Sequence, residues 1–440
     1  MTDDVTADPQ DRWDVLRRRV DVDRLLCVLD GASLDDIEQA LDKAERDGRD
    51  IMPPPVDGDF YGFAETFTDD ERRHQKLLRE FFARDVHPII DDYWDRGEFP
   101  HEVVHKLAAL VREMYGPYEP EMELHRSGVV SLEMGRGDPS ISTFFGVHWG
   151  LCMGSIQRFG SDEQKRRWLP ALYAFDKIGS WALTEPLHGS DAAGGLDTTA
   201  TRAGDTWTLN GEKKWSGNAT IADVNVVWAK DTAEGQVKGF LVERGTPGYE
   251  VRKLHGKIGK RAVDNVDIAL RGVEVDESQR LPGARSFRDV SDQLAGGRTG
   301  VSWEAVGIAM AAYEHALDYC NRREQFGKPI TSFQLVQEQL VRMLGNVTAM
   351  FAMMNRLADI QRGGNVVSAE RAGLAKAWCT TKMRETVAIA RGVVGGNGIL
   401  LEHRIARYFA DAEAVYSYEG SYEMNTLIVG RAITGVSAFV

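Results

Sequence analysis

The chain reads as blocks of different hydrophobic period. From about residue 60 to 180 the spacing is helical: in DDERRHQKLLREFFARDVHPIIDDYW, Leu77, Leu78, Phe81 and Phe82 fall on one face. GSDEQKRRWLPAL, 160–172, predicts another helix, capped by Ser161 with Glu163 behind it. The period then drops to two. TWTLNGEKKW alternates around Asn210-Gly211, a strong hairpin signal, and ADVNVVWAK, VKGFLVERG and NVDIALRGVEV follow as short alternating runs. From about 290 long helices return: Leu340, Met343, Leu344, Val347, Met350, Phe351, Met354 and Leu357 recur at three and four, the stripe of a bundle helix, with the methionines as core. A second long helix, about 367–393, ends at Gly395-Gly396-Asn397-Gly398. Helices, then strands, then a helical bundle make an α+β protein in blocks.

The first 50 or so residues are charged and helix-prone, with Leu25, Leu26, Leu29, Ile37 and Leu41 in a stripe before the turn MPPPVDGD. The expected division is an N-terminal helical extension, 1–55, a helical domain, 56–180, a β domain, 181–288, and a helical bundle, 289–440.

Composition narrows the function classes. With 440 residues, 43% hydrophobic and 27% charged, the chain has ample material to bury a cofactor. Its 53 basic and 67 acidic residues leave a net charge of -14, which disfavours nucleic acid and anionic membranes, so a polyanionic ligand needs local basic residues. Cys27, Cys152, Cys320 and Cys379 are scattered, suggesting neither zinc site nor disulfide framework, and no metal is expected. His74 and His87 have no second histidine at i+4 and read as ordinary helix residues. The acidic start has no leader-like apolar run, no window nears the roughly 18 apolar residues of a membrane span, and the end is not of the SKL kind. A cytoplasmic location is the expectation.

Four stretches carry candidate chemistry. In YSYEGSYEMNTLIVGRAITG, 416–435, Glu419 lies between Tyr418 and Gly420 just before a helix. Such a glutamate more often complements a helix dipole; alternatively it is a base in aromatic, water-poor surroundings. GGNG, 395–398, serves as a C-cap or as a backbone cradle for phosphate or adenine. RREQFGKP, 322–329, is a helix stop or presents Arg323 to a pyrophosphate. WALTEPLHGSDAAG, 181–194, is turn-rich with Thr184, Ser190 and Asp191.

Taken together, in this order, LTEP with GSD, NGEKKW (210–215), RREQFG, GGNG and YEG (418–420) resemble the acyl-CoA dehydrogenase family over about residues 60 to 440. The C-terminal form looks most like the glutaryl-CoA dehydrogenase and short-chain acyl-CoA oxidase branch. The resemblance implies a middle β-barrel and a C-terminal four-helix bundle. It implies FAD, with Glu419 as the base that removes the pro-R α-proton of an acyl-CoA while the β-hydrogen leaves as hydride to flavin N5. Leu183, Thr184, Ser190, Trp215 and Ser216 match positions at the flavin, and Trp215 the tryptophan packed on the isoalloxazine. Arg323, Phe326, Gln334, Gly395 and Gly396 match positions that hold the FAD pyrophosphate and adenine across a subunit interface. Ser190, Arg298, Tyr418 and Gly420 match positions near the substrate. A homodimer at least, usually a homotetramer, and an electron-transfer flavoprotein as acceptor are implied, in fatty acid β-oxidation.

Four departures shape the expectation. The base used in some branches, just before Arg298, would fall at Gly297, leaving Glu419 alone. The arginine of glutaryl-specific enzymes appears as Ser142, disfavouring a dicarboxylyl substrate, and Phe144, Phe145 and Trp149 nearby either shorten the acyl tunnel or are core. Gly217 stands where many dehydrogenases carry a threonine at flavin N5, so an oxidase using dioxygen is the rival. The stretch 111–127 also lacks the Gly-rich run usual near the acyl pocket. The expected reaction is dehydrogenation of a short, unbranched acyl-CoA to its trans-2-enoyl-CoA. From other classes, a flavin monooxygenase or a non-catalytic homologue would lack use for Glu419.

Overall fold

The computed structural model describes residues 57–122 and 127–439, together with Gln39 and Asp42. The chain divides into two units, Met1–Asp57 and Gly58–Val440. In the first, Gln39 and Asp42 are helical and exposed. The leucine stripe read at 25–41 and residues 123–126 near the expected acyl pocket lie outside the described residues.

The second unit opens with helices. α1 (Asp69–Phe81) starts at a capping box: the Thr68 hydroxyl accepts from Glu71 N at 3.1 Å and the Glu71 carboxylate from Thr68 N at 2.9 Å. It buries His74, Leu78 and Phe81, with the His74 ring donating to Met114 O at 2.9 Å. α2 (Glu102–Tyr115), α3 (Gly128–Gly137), α4 (Pro139–Phe145) and α5 (Asp162–Tyr173) follow. Ser161 caps α5 as read, but its reciprocal partner is Gln164, whose carbonyl accepts from Ser161 N at 2.9 Å; Glu163 supplies only first-turn charge. Phe144, Phe145 and Trp149 are core, with Phe99 and Phe144 centroids 4.6 Å apart and Phe145 and Trp149 centroids 5.4 Å apart.

Seven strands make one curled sheet: β1 (Gly179–Ala182), β2 (Thr199–Ala203), β3 (Thr206–Gly217), β4 (Val224–Asp231), β5 (Val237–Glu243), β6 (Tyr249–Lys253) and β7 (Asn265–Asp276). The order is β1-β4-β2-β3-β7-β6, with β5 pairing β4. One set of apolar residues, including Leu209, Phe240 and Ile268, forms the sheet's own core, while Trp181, Val226 and Trp228 join the helical core. The hairpin turn expected at Asn210-Gly211 is instead at Gly204-Asp205, where Ala203 pairs with Thr206. β3 runs through Asn210-Gly211 with a register shift against β7. Gly211 is needed for close approach: a Cβ there would lie 2.6 Å from the Thr198 hydroxyl.

The bundle comprises α6 (Phe287–Arg322), α7 (Gln334–Arg362), α8 (Ala369–Val393) and α9 (Ile405–Ser417), with α10 (Tyr422–Thr434) packed on α8. The stripe on α7 buries Leu340, Met343, Val347, Met350, Phe351, Met354 and Leu357 as its period predicts. α6 is the central element, buried on all sides from Val301 to Ala312. Arg407 on α9, fully buried, ties the bundle to the first helices through ion pairs with Asp91 and Asp138. No helix among the described residues is long and apolar enough to cross a membrane, and none of their acidic, histidine and cysteine groups cluster to hold a metal. Cys152, Cys320 and Cys379 are buried free thiols.

Candidate active site

The centre of the site is the loop between α9 and α10. Tyr418 closes α9, its N–H reaching Ala414 O at 3.0 Å, and Ser421 caps α10 by accepting from Met424 N at 3.3 Å. Between them Glu419 (φ 54°) and Gly420 (φ 84°) are both left-handed. Glycine adopts this conformation freely, but a glutamate does so at a cost of order 1–3 kcal/mol, which the surroundings must offset. Glu419 is thus two residues before the cap of α10, and the first-turn acid is Glu423. The role of dipole partner belongs to Glu423.

The surroundings of Glu419 are built from three elements. On α6, Gly297 faces the carboxylate: a Cβ there would be 2.6 Å from Glu419 Oε2. The next residue, Arg298, is 8% exposed, and its Nε and Nη1 have no hydrogen-bond partner. Burial lowers its pKa, against the opposing pull of Glu419. On α8, Lys376 is fully buried and donates to Tyr416 O at 2.6 Å and Gly420 O at 2.8 Å. Asn425 on α10, also fully buried, donates to Gly420 O at 2.8 Å and Ser421 O at 3.0 Å.

Tyr418 is held from the other side. Its hydroxyl donates to Glu304 at 2.8 Å, and the second oxygen of Glu304 accepts from Lys260 Nζ at 2.9 Å. Lys260 Nζ also stands 5.4 Å from the centre of the Tyr418 ring. Burial, then the Glu304 carboxylate, pushes the Tyr418 phenol well above its ordinary pKa, so it donates throughout the working range. The Lys260 N–H in turn reaches Asp411 at 2.5 Å, and Trp94 Nε1 reaches the same oxygen at 3.0 Å. Burial raises the Asp411 carboxyl to about 6.

The β sheet presents a second group. Trp215 sits in a bulge of β3, between Lys214 and Ser216, at φ 67°; the indole is 54% exposed. The adjoining 183–185 turn is fastened to β3: Lys214 N donates to Thr184 O at 2.8 Å, and Lys213 Nζ to Leu183 O at 2.9 Å. Lys213 and Glu185 form a buried ion pair at 2.8 Å, burial bringing the lysine down to about 8. Glu185 also accepts from Asp197 N at 2.7 Å and Thr198 N at 2.9 Å. Leu183 is buried, Thr184 half-buried and Ser190 exposed, while Ser216 is buried with an unpartnered hydroxyl. A Cβ at Gly217 would meet Val147 Cγ2 at 3.0 Å.

A third group lies at the far end of α6. After Arg322 the chain makes a two-strand hairpin, Glu324–Gln325 with Lys328–Pro329, turning through Phe326 (φ 54°) and Gly327 (φ 76°). Arg323, Gln334, Gly395 and Gly396 are exposed, and Phe326 is 92% exposed. Asn397 joins the GGNG turn to α6 by donating to Tyr319 at 3.0 Å. Arg298 lies in the first third of α6 and Arg323 at its C-terminal cap, about 37 Å apart along the axis at 1.5 Å per residue. The structure therefore gathers Arg298, Tyr418, Glu419 and Gly420 in one place and Arg323, Phe326, Gly395 and Gly396 in another.

Family models for the N-terminal, middle and C-terminal domains of acyl-CoA dehydrogenase match residues 68–176, 180–273 and 286–434. The chain belongs to the acyl-CoA dehydrogenase family and is an oxidoreductase of that kind. It is 32% identical to the mitochondrial short-chain specific acyl-CoA dehydrogenase of Homo sapiens, over 81% of this chain and 89% of the relative. Among solved structures, a Mycobacterium smegmatis glutaryl-CoA dehydrogenase in complex with FADH2 is similar at 32% identity and TM-score 0.82, covering 86% of this chain and 98% of that one. Butyryl-CoA dehydrogenase from Megasphaera elsdenii is similar at 29% identity and TM-score 0.77, covering 84% and 99%.

Sequence reasoning did not single out Lys376, Asn425, Glu304, Lys260 or Lys213. The available signal was a lone lysine inside an otherwise apolar helical run, AGLAKAWC for Lys376, since a lysine buried there must have partners.

Proposed function

We propose that the protein oxidises a short, unbranched acyl-CoA to its trans-2-enoyl-CoA, with Glu419 as the base. The observation that carries this reading is Glu419 itself: a glutamate in a costly left-handed conformation, half-buried against Gly297 beside a buried arginine with unpartnered nitrogens. An α-proton of a thioester is too weak an acid for a solvated carboxylate, so water must leave and the carbonyl must be polarised. Glu419 takes the α-proton and becomes the carboxylic acid. Tyr418, pinned to Glu304, closes one side of the site, and Arg298 offers positive charge to an anionic group of the substrate.

The residues present fit FAD. Trp215 is turned outward by a bulge to pack on a ring, the Ser216 hydroxyl is buried without a partner, and Gly395 and Gly396 leave open space for a diphosphate or adenine near Arg323. When bound, FAD supplies the two-electron acceptor for the β-hydride. Leu183, Thr184, Ser190, Trp215 and Ser216 would hold it in one protomer, and Arg323, Phe326, Gln334, Gly395 and Gly396 in a second. The length of α6 between Arg298 and Arg323 supports this division and therefore a homodimer or homotetramer.

A short acyl tail is supported by the short-chain and butyryl-CoA relatives and by the filled core at Phe144, Phe145 and Trp149. Ser142, 1% exposed with an unpartnered hydroxyl, offers no cation for a distal carboxylate. An electron-transfer flavoprotein in the cytoplasm is the proposed acceptor. Gly217 favours one rival, an oxidase, because residue 217 has no hydroxyl to donate at that edge and only the apolar Val147 stands beside it. Anaerobic mixing with butyryl-CoA tests the main reading: flavin bleaching is expected, and none with acyl-CoAs of two to twelve carbons would overturn it. Oxygen consumption after reduction then separates oxidase from dehydrogenase.

A further inference from the structure

Lys376 is unusual among the buried cations: it donates to two backbone carbonyls, and they bracket Glu419. Tyr416 O precedes the base by three residues and Gly420 O follows it directly. An ammonium gives three donors from one point, and 0% exposure leaves water no access to compete. Asn425 holds the same Gly420 O and the next carbonyl from α10, without a charge. Resting on the assignment of Glu419 as the base, we propose that Lys376 is its positioning residue: from α8 it ties both sides of the loop, offsets the cost of the left-handed glutamate, and supplies the positive charge that keeps the carboxylate ionised.

The charged groups acting on Lys376 come from every side of the loop. Glu419 and Glu423 favour its charged form, Arg298 on α6 opposes it, and burial is the largest influence, bringing it down to about 8. The Tyr416 ring lies 5.9 Å from Nζ and is covered on its own account by Arg384 at 4.3 Å. Lys376 is thus charged at neutral pH, and the Glu419 carboxylate, which favours that charge, gains from it in return. Loss of the tether and loss of the charge have different signatures. The first lowers the rate of proton abstraction at every pH; the second also moves the acid limb of the profile, because the base then protonates at higher pH.

The test is stopped-flow flavin reduction by butyryl-CoA, without oxygen, as a function of pH, in FAD-loaded wild type, Lys376→Met and Asn425→Ala. Wild type must bleach; if it does not, the functional reading itself fails and Lys376 is not at issue. Given bleaching, Lys376→Met is expected to reduce flavin about 100-fold more slowly, as for a misplaced catalytic group, with its acid limb moved to higher pH. Asn425→Ala is expected to slow the reaction with the limb unmoved. A Lys376→Met enzyme with the wild-type limb and rate, or with only a uniform loss like that of Asn425→Ala, overturns the proposal. Glu423→Gln, on the exposed first turn of α10, provides the check if Lys376→Met does not fold. It removes a group that favours the lysine's charge, so the alkaline side of the profile should shift to lower pH; an unmoved profile contradicts the proposal.

Discussion

The carboxylate of Glu419 lies against the α-carbon of Gly297, so close that a methyl group at 297 would stand 2.6 Å from Oε2 and 2.9 Å from the carboxyl carbon. Gly297 therefore does more than lack an alternative base: it provides the space in which the base at 419 rests. Gly297→Ala is expected to displace the carboxylate, retain FAD and lower flavin reduction by about 100-fold. Bound-flavin absorbance and anaerobic single turnover check it, and a wild-type rate would place the reacting carboxylate elsewhere.

Tyr418 and Glu304 predict a stability effect that unfolding reads without any turnover. Tyr418→Phe removes a buried donor from Glu304 and leaves the Lys260 ion pair at 2.9 Å intact, so a cost of about 1–3 kcal/mol is expected in urea unfolding. Glu304→Leu leaves Lys260 without its carboxylate, and should cost more, about 3–5 kcal/mol.

Asp411 predicts a pH dependence with a definite sign. Burial disfavours its charge and pushes the folded-state carboxyl up to about 6, above the ordinary aspartate value of about 3.9. Between these values the folded state binds the extra proton, so this group's contribution falls as pH rises from about 4 to 6 and stays unfavourable above. Asp411→Asn keeps an acceptor for Trp94 and Lys260 N–H and removes the charge. It should match wild type near pH 4 and exceed it at pH 7.5 by an amount on the order of 1–3 kcal/mol, read by urea unfolding at both pH values.

Gly217 bears on the electron acceptor. A side chain there must displace Val147, which stands 3.0 Å from the Cβ position. Gly217→Ser combined with Val147→Ala is expected to slow reoxidation of the reduced flavin by dioxygen, measured by stopped-flow with air-saturated buffer. An unchanged rate would remove Gly217 from the argument for an oxidase.

The block architecture was legible because period-two and period-3.6 patterns are local properties of the chain, as at β7 and α7. The five motifs were legible because turns and caps need particular residues. Asn210-Gly211 misled because a bulge and a hairpin turn ask for the same permissive dipeptide, and only the approach of Thr198, just before β2, decides between them. The supports of the site were not legible. Lys376, Glu304, Lys260 and Asp411 are remote in sequence from Tyr418 and Glu419 or are ordinary charges on helices, and their meaning arises from burial against one another. The positive φ of Glu419 was likewise hidden, since a glutamate gives no local sign of it.

The central claim is that Glu419 is the base, and the most direct measurement is anaerobic mixing of FAD-loaded Glu419→Gln with butyryl-CoA beside wild type. Glutamine retains the shape and removes the proton acceptor. Full flavin content in both proteins, prompt bleaching in wild type and no bleaching in the variant are expected. Substantial bleaching in Glu419→Gln would contradict that assignment.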